Sequence, residues 1–144
     1  MKIALGADHG GFELKEKIKA HLIEKGYEVL DLGTHSTESV DYPTFGHAVG
    51  HAVVDKKADY GVLVCGTGIG ISIAANKVPG VRAALCTNTT MARLTREHNN
   101  ANILAMGGRI VGDVLALEMV DVFLATEFQG GRHEKRVDAI ENIN

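Results

Sequence analysis

Residues 60–76, Tyr-Gly-Val-Leu-Val-Cys-Gly-Thr-Gly-Ile-Gly-Ile-Ser-Ile-Ala-Ala-Asn, constrain the fold more than any other stretch of the chain. Val62, Leu63 and Val64 form a short apolar run of the kind found in a strand covered on both faces, which belongs in a parallel sheet between layers of helix. Cys65 falls where that strand ends. Gly66, Gly68 and Gly70 then remove side chains from alternate positions, so successive backbone N–H groups turn toward one point ahead of a helix N-terminus. Such a cup favours negative charge: a phosphate in the ground state, or the oxyanion that develops in an enolisation or acyl transfer.

Familiar phosphate and nucleotide patterns fail on this loop. A dinucleotide fingerprint needs a glycine three residues after Gly68, where Ile71 stands, and a Walker loop needs Gly-Lys-Ser/Thr, whereas Gly70 is followed by Ile71 and Ser72. A cysteine phosphatase loop would place an arginine at Ile71. The loop is therefore an anion cup without its own cation, and a positive partner for an anionic substrate has to come from elsewhere in the chain.

The rest of the chain alternates strand and helix. Residues 2–7 read as a first strand, ending in Asp8-His9-Gly10-Gly11 before a helix with Leu14, Ile18 and Leu22 at four-residue spacing and a stop at Gly26. A second strand spans 27–32, and a polar loop over 33–42 leads to a helix near Pro43 with Phe45, Val49 and Val53 or Ala52 on its apolar stripe. His47 and His51 share another face of that helix, where a solvated surface is the simpler reading than a metal pair. A short helix over 71–77 is closed by Pro79-Gly80, and a fourth strand covers 81–86. Thr87-Asn88-Thr89 supplies N-cap candidates for a helix to about Glu97, which His98-Asn99-Asn100 terminates. A fifth strand covers 103–106, Gly107-Gly108-Arg109 form its exit, and an apolar helix covers 113–125. This alternation predicts a single α/β domain over residues 1–144, a five-stranded parallel, Rossmann-like sheet in a three-layer α/β/α sandwich. In such sheets ligands sit beyond the carboxyl ends of the strands, which gathers Asp8, His9, the Cys65 loop and Cys86 around one crevice.

With 144 residues, 45% of them hydrophobic, the chain suits one domain able to bury a full sheet. A net charge of −3 and scattered basic residues argue against a nucleic-acid surface. No apolar run approaches a membrane span and no signal-peptide core precedes the first strand, so a cytoplasmic protein with no membrane partner is expected. Cys65 and Cys86 do not make a disulfide framework, and no metal-ligand spacing is present. The absence of tryptophan and the few aromatics weaken flavin and single-strand stacking readings.

Taken together, Asp8-His9-Gly10-Gly11, Asp41-Tyr42-Pro43, the stretch from Cys65 to Lys77, Arg96-Glu97-His98-Asn99 and Gly130-Gly131-Arg132-His133 with Arg136 resemble the ribose-5-phosphate isomerase type B family, which includes allose- and galactose-6-phosphate isomerases. The resemblance runs from the first strand to the C-terminal basic stretch. It implies strand order 2-1-3-5-4, and a homodimer or tetramer whose active sites are shared between subunits. The implied reaction is metal- and cofactor-free aldose–ketose isomerisation of D-ribose 5-phosphate and D-ribulose 5-phosphate through a cis-enediolate, with the six-carbon sugar phosphates or a non-catalytic sugar-phosphate-binding module as alternatives.

By the same resemblance Cys65 is the proton-carrying base. On residues alone a lone cysteine at a strand end is ordinarily packing, but this one stands at a helix N-terminus beside a nest of amides. Thr67, Gly68 and Gly70, with Gly66 and Ile69, present N–H groups to the enediolate oxygen, each good donor contributing on the order of 3 kcal/mol. The resemblance implies that His98 is the acid that opens the furanose ring, although a histidine at a helix C-terminus also interacts favourably with the helix dipole. It also implies that Asn99 holds a sugar hydroxyl. Asp8 orients a hydroxyl or assists ring opening, with helix capping as its competing role. Arg132 and Arg136, on one face if their segment is helical, grip the phosphate with help from His9 and Arg109. Other members carry a carboxylate base just after the glycine loop; Ile71 there assigns this chain to the cysteine branch, with Cys86 as core packing.

Overall fold

Strand–helix alternation is realised in the computed structural model, which describes residues 1–143. In chain order the elements are β1 (Lys2–Ala7), α1 (Phe12–Glu24), β2 (Glu28–Asp31), α2 (Tyr42–Val54), β3 (Tyr60–Cys65), α3 (Ile69–Ala75), β4 (Ala83–Leu85), α4 (Thr89–Asn99), β5 (Ile103–Gly107), α5 (Asp113–Ala125) and α6 (Arg132–Glu141). The strands are parallel and lie in the order β2-β1-β3-β5-β4. Sheet order therefore reverses between β1 and β3, and the crevice beyond their carboxyl ends lies between Asp8 and Cys65. No helix among the described residues is long and apolar enough to cross a membrane.

Strand pleating sends alternate residues to opposite helix layers. Val62 and Val64 pack with Leu14, Ile18 and Leu22 of α1 and Met119, Val120 and Phe123 of α5. Leu63 and Cys65 pack with Val49 and Val53 of α2 and Ile71 and Ala75 of α3. Each fully buried Ile18, Leu22 or Phe123 side chain contributes roughly 1.5–3 kcal/mol of apolar burial. His47 and His51 are exposed on α2, as a solvated face requires.

Several boundaries differ from the sequence reading by a residue or two, and the differences in α3, β4 and α4 each have a local reason. The third helix begins at Ile69 rather than residue 71, because Gly68 adopts a left-handed φ of 81° and its carbonyl already accepts from Ser72 N–H at 3.2 Å. The fourth strand is only Ala83–Leu85, not 81–86, since this edge strand has β5 as its single neighbour. Before it, Asn102 takes over the pairing: its Oδ1 accepts from Arg82 N–H at 2.8 Å. The fourth helix runs through Asn99, so His98 and Asn99 lie in its last turn and Asn100, at φ 46°, is the cap. Its N-cap is Asn88, whose side chain accepts from Met91 N–H at 2.8 Å.

One buried charge was invisible to the apolar pattern. Lys15, 1% exposed, donates from Nζ to both Asp31 oxygens at 2.8 Å, and Lys19 adds a third contact at 3.1 Å. Asp31 also accepts from Gly33 N–H at 3.0 Å, while Gly33 O accepts from Ala7 N–H at 2.6 Å and Ala7 O from Thr34 N–H at 2.7 Å. The ion pair thus anchors the residue just before Asp8. Burial pushes the Asp31 carboxyl up, but hydrogen bonds from Lys15, Gly33 and Lys19 outweigh it and hold the pKa below 3.8.

Replacing Lys15 by Met leaves that buried carboxylate with its weaker partners, at a cost of about 3 kcal/mol. A carboxyl whose folded pKa is depressed stabilises above its unfolded pKa and loses that contribution as pH falls through the folded value. Chemical denaturation is expected to show a wild-type advantage of about 3 kcal/mol at neutral pH that closes below pH 3.8. A gap independent of pH would contradict the role given to Asp31.

Candidate active site

The Cys65 cup is built from backbone packed so closely that only glycine fits. A Cβ on Gly11 would collide with the Val64 carbonyl, one on Gly107 would lie 2.6 Å from Thr67 O, and one on Gly108 2.6 Å from Gly10 O. The exits of β1, β3 and β5 therefore interlock, and a Cβ on Gly68 would lie 2.6 Å from the Met106 carbonyl carbon. Alternate glycines in the loop serve close approach as well as amide orientation.

Within the cup, Gly68 N–H points at Cys65 Sγ from 3.1 Å, an arrangement that supports negative charge on sulfur. Cys65 itself is 5% exposed. Ile69 N–H is turned to Thr67 Oγ1 at 3.2 Å. Gly68 and Ile69 therefore differ from the sequence expectation: in this structure their amides serve the sulfur and the threonine rather than standing free. Among the described residues the amides of Thr67, Gly70 and Ile71 have no protein acceptor and remain for a ligand oxygen. Thr67, accepting at its hydroxyl oxygen, keeps its O–H to donate. Ser72 is tied to Ile69 O at 2.7 Å.

Four further side chains border this cup. Asp8, 7% exposed, accepts from Gly10 N–H at 2.9 Å. That bond makes a turn; the N-cap of α1 is Gly11, so Asp8 does not cap the helix. His9 Nδ1 accepts from Val40 N–H at 3.2 Å, which in the neutral ring puts the proton on Nε2 as a donor. Arg109 lies across Gly66, its Nη1 3.2 Å from where a Cβ would stand, and so brings the missing cation to the cup from the same chain. Tyr42, which sequence reasoning left without a role, covers Gly70: a Cβ there would lie 2.6 Å from its ring. Cys86 follows β4 but is 1% exposed, and burial pushes its thiol up to about 11, which marks it as inert packing.

His98, Asn99, Arg132 and Arg136 are not at this cup. Helix α4 leaves the carboxyl end of β4 and returns to the amino end of β5, so its last turn lies at the opposite edge of the sheet. Asn99 there borders a groove of about 900 Å³ that is also lined by Lys77, Arg82, Thr95 and Ile140, with Cys65 outside it. Arg132 and Arg136 are four apart in α6 and so do share a face. The end of α6 reaches the same edge, where Glu141 accepts from Arg82 Nη1 at 2.7 Å. His133, quoted in the sequence motif but given no role, stacks on His98 with ring centroids 4.4 Å apart and planes 16° apart. Burial, followed by His98, Arg132 and Arg136, pulls the His133 pKa down.

The chain matches the family model described as Ribose/Galactose Isomerase over residues 3–140. It is 52% identical to ribose-5-phosphate isomerase B of Escherichia coli over 142 residues, covering 99% of this chain and 95% of that one. Among solved structures, ribose-5-phosphate isomerase B of Clostridium thermocellum superposes with a TM-score of 0.97 at 61% identity, covering 98% of this chain and 95% of the other. Ribose-5-phosphate isomerase B of Mycoplasma genitalium, with bound ribulose-5-phosphate, gives a TM-score of 0.93 at 43% identity, covering 97% and 93%. Shared sequence over nearly the whole chain and a shared sheet lead to one conclusion: this protein belongs to the ribose/galactose isomerase family.

Proposed function

We propose that the protein interconverts D-ribose 5-phosphate and D-ribulose 5-phosphate in active sites assembled from two copies of the chain. The observation that carries the reaction is the Cys65 sulfur, fixed by Gly68 N–H at 3.1 Å beside amides left free for an oxyanion. Relatives named for the pentose phosphate align along nearly the whole chain, which favours it over allose or galactose 6-phosphate. A cytoplasmic role in pentose phosphate metabolism accompanies this reading.

The steps follow from the groups present. Ribose 5-phosphate enters as a furanose, and opening it requires a proton on the ring oxygen and loss of one from the anomeric hydroxyl. His98 of a second subunit supplies the first, and Asp8, its Oδ1 held by Gly10 N–H, accepts from the hydroxyl. Cys65 then takes the C2 proton as thiolate. Negative charge passes to the enediolate oxygen, facing the amides of Thr67, Gly70 and Ile71 and the Thr67 hydroxyl. A proton passes from the C2 hydroxyl to O1 within the cis-enediolate, and return of the carbon-bound proton from Cys65 to C1 then gives the ketose with its C2 carbonyl. His9 and Arg109 from one chain, with Arg132 and Arg136 from the other, surround the phosphate, while Asn99 holds a sugar hydroxyl.

Assembly of the site from two chains is supported by the separation of its halves to opposite sheet edges. It is supported further by apolar side chains beside the cup that have nothing to cover them in one chain: Ile69 is 50% exposed, Ile73 57% and Met91 40%. A homodimer satisfies both, and pairing of dimers into a tetramer is compatible with them.

Assayed in chelator, interconversion is expected to be fast in the wild type, to fall about 10²–10⁴-fold in Cys65→Ala, and to persist in Cys86→Ala. A wild type inactive on the pentose and both hexose phosphates would favour the binding-module reading. His98→Asn separates ring opening from proton transfer, because ribulose 5-phosphate, with O5 phosphorylated, has no furanose to open. This variant is expected to lose turnover of ribose 5-phosphate while retaining measurable deuterium uptake at C1 of ribulose 5-phosphate in D₂O. Equal loss of both would remove His98 from ring opening.

A further inference from the structure

Arg96 is a buried cation whose presence neither the cup nor the core explains. It is 4% exposed, and among the described residues all its hydrogen-bond partners are neutral. Nε donates to Thr126 O at 3.0 Å, Nη1 to Asn100 Oδ1 at 2.9 Å and Ala101 O at 2.6 Å, and Nη2 to the Tyr60 hydroxyl at 3.1 Å. The guanidinium also lies over the rings of Tyr60 and Phe123, 5.0 and 5.7 Å from their centroids. Burying a cation without a carboxylate carries a desolvation penalty that an apolar side chain of similar volume would avoid. Stability alone therefore gives a poor reason for an arginine here.

Its acceptors suggest a better one. Asn100 and Ala101 close the last turn of α4, and Thr126 closes α5, from which the chain leads to α6. A planar fork with donors at fixed angles ties these two exits together, which a lysine cannot reproduce. On a helix, residues two apart point about 200° from one another, so drawing Arg96 inward sets the rotation that turns His98 outward. The same junction is braced from outside, where Gln129 N–H donates to Glu97 O at 3.1 Å and Arg93 reaches Glu97 at 3.0 Å. Across it, His133 of α6 meets the His98 ring.

We infer that Arg96 is a positioning residue for the ring-opening acid: its fork locks the end of α4 to the end of α5 and thereby aims His98 at the substrate. This rests on the role proposed for His98. No group on Arg96 touches the sugar; its effect on catalysis runs through the imidazole, so losing it should matter for furanose opening and little for proton transfer at Cys65.

The test is a double-mutant cycle of Arg96→Met and His98→Asn in the full chain, read by ribose 5-phosphate turnover and by deuterium uptake at C1 of ribulose 5-phosphate. Misplacing a catalytic group by about 1 Å costs on the order of 10²-fold, and that loss of ribose turnover is expected for Arg96→Met alone. Deuterium uptake is expected to fall only a few-fold. In the His98→Asn background the same substitution should cost little, because the group it aims is gone. Should the Met variant fail to fold, Arg96→Lys, which keeps the charge but not the fork, is read in the same cycle. If His98→Asn is impaired but the Arg96 loss is the same in both backgrounds, or falls equally on both readouts, the positioning role is overturned while the role of His98 stands. If His98→Asn turns over ribose 5-phosphate normally, both fall.

Discussion

Chain polarity in a parallel sheet governs what this protein can do alone. Every strand delivers its exit loop to the carboxyl edge, and every crossover helix carries the chain back to the amino edge. Cys65 and its amides stand on a strand exit, whereas His98 and Asn99 stand in the last turn of a helix. The two therefore lie at opposite edges of the sheet within one copy. On the proposed reaction, the base and the ring-opening acid thus come from different copies of the chain.

Each half is held by a buried charge. At the carboxyl edge Lys15, 1% exposed, grips Asp31, which fixes Gly33 and through it the last residue of β1 before Asp8 and His9. At the amino edge Arg96, 4% exposed, closes α4 onto the end of α5 beneath His98. Both cations lie outside the reacting groups and both organise backbone: Lys15 by a paired carboxylate, Arg96 by neutral oxygens and ring faces. Glycine completes the carboxyl edge, since the exits of β1, β3 and β5 approach too closely for any Cβ at Gly11, Gly68, Gly107 or Gly108. Preorganisation of the cup is a packing result before it is an electrostatic one.

Much of this was legible in the residues. The apolar run Val62–Leu63–Val64 correctly announced a strand covered on both faces, and the spacing of Leu14, Ile18 and Leu22 announced the stripe that α1 buries. The order β2-β1-β3-β5-β4, by contrast, followed from family resemblance, because local periodicity carries no information on which strand sits beside which. Lys15 goes unremarked in the sequence reading, and Arg96, quoted in the motif, has no role there, for a related reason. A charged residue reads as surface until its partner is known, and Asp31, Thr126 and Tyr60 are distant in sequence. The loop was read as a run of amides facing a ligand; the αL turn at Gly68 instead directs its N–H to Cys65, a detail that spacing cannot show.

Subunit complementation tests the central claim most directly. Cys65→Ala and His98→Asn chains, each strongly impaired on ribose 5-phosphate, are mixed in equal amounts, unfolded and refolded together. If sites are assembled from two chains, half of the dimers are mixed and each mixed dimer carries one intact site, so activity returns to about a quarter of that of wild type treated alike. A mixture no more active than the sum of its parents would contradict the shared site and return His98 to the same chain as Cys65.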